Sequence, residues 1–170
     1  MKFRVVLLGI ACVLLMSVLP ASPLFAQHNH AATVPIIDGA QHPELIPDLV
    51  AYRLYLVTVG ELPTAKAEDM ERQKAHLAKV GLTEEDSAAV VKIANDFKKQ
   101  YRALIDDYNA RLDPQRIDPV AFRMFMLRRD TLVASAMSSL SHNLTHEGFT
   151  GFDKHIQAEK THMQTQEGQQ

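Results

Sequence analysis

The sequence predicts an all-α protein of about five helices, organised around a long antiparallel hairpin of residues 84–112 and 119–142. Three observations carry this. Residues 84–112 run for 29 positions without Pro or Gly. Their apolar members are Val90, Ala94, Phe97, Tyr101, Leu104, Tyr108 and Leu112, spaced by fours and threes, the pattern of a helix lying along a near-antiparallel partner. "DPQRIDP" at 113–119 then reads as a turn, and Asp118 with Pro119 is a cap and first residue for a second long helix. Nowhere does a strand-length alternation of apolar and polar residues compete with this reading.

The first 26 residues do not read as part of the fold. Lys2 and Arg4 precede an uncharged apolar run from Val5 to Leu19, followed by Pro20, Ser22, Pro23 and the small Ala26. This is the layout of a secretory signal peptide with cleavage after Ala26, and the run is short for a membrane span. Cys12, the chain's one cysteine, lies inside it. The exported remainder therefore has no disulfide to rely on and must fold by packing. Removing Lys2 and Arg4 from the 18 basic residues leaves 16 against 20 acidic, a net charge of −4. That balance argues against nucleic acid and against an anionic membrane surface as partners.

Residues 27–46 are expected to form a flexible N-terminal segment, with Ile36 and Ile37 docking on the core; the helical domain spans 47–164, and 165–170 is a disordered tail. Pro47 opens the first helix, which runs to Gly60. Thr64 is the expected cap of a second helix that stops at Gly81, with Glu68 and Arg72 spaced as a surface ion pair. Thr83 caps the long helix, and "TEED" is nearly a capping box. The helix after Asp118 carries a seam of Phe122, Phe125 or Met126, Arg129, Leu132 or Val133, Ala136, Met137 and Leu140. Thr145 caps the last helix, whose first turns Gly148 and Gly151 weaken.

One short echo stands out: "GLTEED" at 81–86 against "NLTHEG" at 143–148. In each, Leu-Thr opens a helix, Thr as cap and Leu as staple. An export signal, an all-helical chain of this size and two Leu-Thr helix starts (Leu82-Thr83 and Leu144-Thr145) resemble the periplasmic stress proteins of the Spy and CpxP type, recognised by two LTxxQ motifs. Asp86 and Gly148 stand where that motif has Gln, and the basic richness of the group is missing. The resemblance covers about residues 70–163. It implies a curved helical hairpin able to dimerise, whose concave face holds unfolded proteins or an envelope sensor, and a protein that is not an enzyme.

The residues themselves give an enzyme little support. There is no Gly-rich phosphate loop, and Ser135, Ser138, Ser139 and Ser141 sit inside a helix rather than on a nucleophile turn, so no catalytic residue is assigned. His142, His146, His155 and His162 crowd the last stretch. On a helix, ligands three or four apart can share an ion, so His155 with Glu159, Glu159 with His162, or His142 with His146 are candidate copper, zinc or nickel donors. A site of three or four ligands is not evident from spacing, and most of the stretch reads as a solvated helix face. Phe122, Met124, Phe125, Met126 and Leu127 cover more than one helix face, so part of this apolar surface must meet another helix, a second subunit or a client. With Met137, the first four are the candidate client-binding residues, rimmed by Arg123, Arg128 and Arg129. The expectation is an exported, periplasmic or secreted, chaperone-like or stress-response binding module, with a periplasmic metal-binding protein as the alternative.

Overall fold

In the computed structural model, which describes residues 36–113 and 118–166, five α-helices account for most of the chain. They are α1 (Asp48–Val59), α2 (Ala67–Ala78), α3 (Glu84–Arg111), α4 (Pro119–Asn143) and α5 (His146–Glu159). The expected hairpin is present: α3 and α4 pack along one another, and α1 lies across both and against α5. The proposed signal peptide, Cys12 included, lies outside the described residues.

The helix ends follow local chemistry. The Thr83 hydroxyl accepts the Asp86 N–H at 3.1 Å, and the Asp118 carboxylate accepts those of Val120 and Ala121 at 2.8 and 3.2 Å. Helix α2 departs from expectation. It starts after Lys66, not Thr64, because the Asp69 carboxylate reaches back to the Lys66 N–H at 2.9 Å. Arg72 then pairs with Asp69 rather than Glu68.

The core gathers on α1 and on the halves of the other helices nearest to it. Tyr52, Tyr55, Leu56 and Val59 of α1 meet Val90, Ala94 and Phe97 of α3, Val133, Ala136 and Leu140 of α4, and Phe152 and Ile156 of α5. Each fully buried large apolar side chain stabilises the fold by about 1.5–3 kcal/mol. Polar ties close the layer: the Tyr52 hydroxyl donates to Asp153 at 2.7 Å, Lys160 to Asp48 at 2.7 Å, and the Gln73 amide to the Val59 carbonyl at 2.9 Å.

Of the expected flexible segment and tail, residues 36–46 and 165–166 are described, and both contribute to a small two-stranded sheet. β1 (Ile36–Asp38) pairs antiparallel with β2 (Gln164–Gln166). Three-residue strands are too short to show a period of two, which is why the sequence hid them. Gly39 makes the crossing possible, since a Cβ there would lie 1.8 Å from the Lys160 carbonyl oxygen. Ile37 packs on the core as expected, but Ile36 is exposed.

Candidate functional site

Two features of the hairpin carry chemistry, one at its base and one along its far half. At the base, the two Leu-Thr helix starts touch. The Asp86 carboxylate, almost fully buried, accepts both the Thr145 N–H at 2.8 Å and the Thr145 hydroxyl at 2.7 Å. The Thr145 hydroxyl in turn accepts the Gly148 N–H at 3.0 Å. These bonds, led by the Thr145 N–H, hold the Asp86 carboxyl below its usual pKa against the opposing effect of burial. Gly148 is there for room: a Cβ on it would lie 2.2 Å from an Asp86 carboxylate oxygen. Asp86 and Gly148, the two departures from LTxxQ, are thus complementary, since the carboxylate occupies the space that glycine leaves.

The far half of the hairpin is different. The last buried residue of α3 is Phe97, and the first of α4 is Arg129. Beyond Phe97 the hairpin extends about 21 Å. The apolar seam continues there, but its burial fades. Tyr101 packs against the core, Leu104 and Tyr108 are half-buried, and Leu112 is exposed. The arm is held by a small aromatic cluster, with the Tyr108 ring centroid 4.6 Å from that of Phe125 and 6.5 Å from that of Phe122. Beside it lies an open cleft of about 790 Å³, lined by Leu104, Tyr108, Leu112, Met124 and Phe125 among others.

The five candidate client-binding residues do not form one patch. Phe125 is spent on Tyr108, inside the hairpin. Phe122 (43% exposed) and the half-buried Met126 continue the stripe of Arg129, Val133 and Leu140 past the end of the third layer. Met137 lies on that side too, packed against the core. Met124 (52% exposed) points away from it, on a face shared with Val120 (57%) and Leu127 (61%). The cationic rim also needs correction. Arg128 pairs with Asp107 at 3.3 Å, but Arg129 is buried and bound to Asp130 at 2.8 Å. Burial, and then the nearby Arg129 charge, pushes the Arg53 guanidinium of α1 below its usual pKa.

The histidines are scattered. His142 ends α4, with Nδ1 2.6 Å from the Ser138 carbonyl oxygen, and His146 begins α5; both are exposed. His155 and Glu159 do approach, Nε2 to Oε1 at 3.8 Å, with the His155 ring edge-on to Tyr55. His162 falls in the 3-10 turn Lys160–His162 that follows α5. Among the described residues no three His, Cys, Asp or Glu side chains converge as a metal cluster would require. The serines of α4 are engaged locally: Ser139 and Ser141 hydroxyls donate to carbonyls of their own helix. No helix among the described residues is long and apolar enough to cross a membrane.

Sequence reasoning found both Thr caps but missed the Asp86–Thr145 contact, because two residues 59 positions apart give no local signal. No family model, curated protein or solved structure matches this chain.

Proposed function

We propose that this chain is an exported, non-enzymatic binding module of the cell envelope, and that its hairpin arm holds apolar segments of unfolded or partner proteins. One observation carries the reading. Past the third helical layer the arm keeps Phe122, Met126 and Leu112 in or near solvent, although the same seam is fully buried at the base. Exposed large apolar side chains of this kind are natural contacts for a binding partner. Methionine and phenylalanine repack around varied partners, which suits clients without a fixed sequence. The layout of residues 1–26 supports export to the periplasm, and the paired Leu-Thr helix starts support kinship with the Spy and CpxP type.

The test is light scattering from a chemically unfolded protein diluted into buffer. Wild type should slow its aggregation. Phe122→Ser combined with Met126→Ser should weaken that effect while leaving helix content by circular dichroism nearly unchanged. Wild-type protein that fails to slow aggregation at stoichiometric excess overturns the proposal.

A further inference from the structure

Helix α1 is apolar around most of its circumference, and its one basic residue is Arg53. Arg53 is half-buried and makes no ion pair or hydrogen bond among the described residues. The groups that bear on its charge are Arg129 and Asp130 of α4 and Tyr101 of α3. Asp130, the one carboxylate among these, is taken by the buried Arg129 at 2.8 Å. Arg53 therefore has no carboxylate of its own, in a place partly closed to water. A charge held in this way is costly unless a counter-ion meets it.

There is room for one. Arg53 lines a cleft of about 230 Å³ between α1 and the β1–β2 ribbon, together with Ile36, Leu54, Gln164, Thr165 and Gln166. Among the described residues no acidic side chain lines it. The Gln164 amide and the Thr165 hydroxyl are further hydrogen-bond donors, and Leu54 and Ile36 form an apolar wall.

We propose that this cleft binds a small monocarboxylate, with its carboxylate on the Arg53 fork and a short aliphatic stem against Leu54 and Ile36. One guanidinium without a partner matches a monoanion better than a phosphate dianion. The volume is below the ~300–1,000 Å³ of sites for drug-sized molecules, which limits the stem to a few carbons. None of the arm residues Phe122, Met126 or Leu112 lines the cleft, so this inference stands apart from the client-binding proposal.

Titration of the purified chain with sodium butyrate at constant ionic strength, followed by amide NMR, tests it. Saturable shifts should centre on residues 53–54 and 164–166, and sodium chloride should not reproduce them. Inorganic phosphate should bind more weakly than butyrate. Arg53→Gln should weaken butyrate binding about tenfold or more, by removing a charged hydrogen bond. Lys92→Gln, which removes an exposed charge on α3 outside the cleft, should bind as wild type does. Gln164→Glu, an exposed change at the rim, should weaken binding several-fold by repelling the carboxylate, and it decides the matter should Arg53→Gln lose helix content. The absence of a saturable shift, equal shifts with chloride, phosphate binding as tight as that of butyrate, or an affinity unchanged in either folded cleft variant would overturn the proposal.

Discussion

Two glycines in the first turns of α5 should respond to alanine in opposite directions. At Gly151 a Cβ would meet nothing within 4 Å. Alanine there gains the ordinary helix preference over glycine, so Gly151→Ala should stabilise the fold by up to about 1 kcal/mol. At Gly148 the same gain is opposed by contact. The new methyl would sit 2.2 Å from Asp86 Oδ2 and 2.9 Å from the Thr145 hydroxyl oxygen. Asp86 is short, buried and held by two bonds to Thr145, so it has no free rotamer to retreat to. Forcing a methyl into such a place costs about 1–3 kcal/mol, and Gly148→Ala should be destabilising on balance. Urea unfolding followed by circular dichroism reads both as shifts in midpoint at unchanged slope. In an Asp86→Ala background the Gly148→Ala penalty should largely disappear, because the obstructing carboxylate is gone. If Gly148→Ala stabilises as Gly151→Ala does, or if its penalty survives the loss of Asp86, the lock between α3 and α5 is misdescribed.

Four further outcomes follow from the same geometry. Thr83→Ala should cost about 1 kcal/mol as the loss of one cap, and Thr145→Ala more, since that hydroxyl also donates to Asp86; equal urea midpoints would contradict this. Phe97→Ala should cost about 3–5 kcal/mol, as befits a ring 2% exposed at the centre of the core, and a loss under about 1 kcal/mol would mean the seam is not packed there. Among the described residues the buried Tyr55 hydroxyl has no hydrogen-bond partner, so Tyr55→Phe should be neutral or raise the melting temperature; a fall would reveal a partner. Because the Asp86 pKa is lowered by folding, its contribution is complete above the unfolded carboxylate value of about 4 and is lost as pH falls through the lower, folded one. Urea midpoints should therefore drop more steeply below about pH 4 in wild type than in Asp86→Asn.

What the sequence made legible was whatever repeats or punctuates locally. Thr83, Asp118 and Thr145 cap the helices they were expected to cap, and the seam through Val90, Ala94 and Phe97 faces the core. What it hid depends on contacts between distant residues. Gly148 looked like a weak point of α5, yet its missing side chain is what admits Asp86. Arg129 looked like surface rim because arginine usually is, yet it is buried beside Asp130. The apolar cluster at 122–127 was correctly read as too much for one face. Its division into an inward ring, a continued core stripe and an outward seam needed the position of α3 and α1.

That division bears on how the molecule can combine a firm fold with an adaptable surface. Helix α1 covers the hairpin only as far as Phe97 and Arg129, and the polar ties to α2 and α5 all lie on that side. Stability therefore concentrates at the base, where losing one ring removes several kcal/mol. Among the described residues the arm has two helices and no third layer, so its apolar side chains contribute little to folding and their presence needs another cause. Substitutions at Phe122, Met126 or Leu127 should then change binding or association far more than stability, whereas Phe97 and Leu140 should do the reverse. Measuring both properties across these five positions separates the two parts directly. Large stability losses at Phe122 and Leu127 would mean that the arm belongs to the core and has no surface to offer.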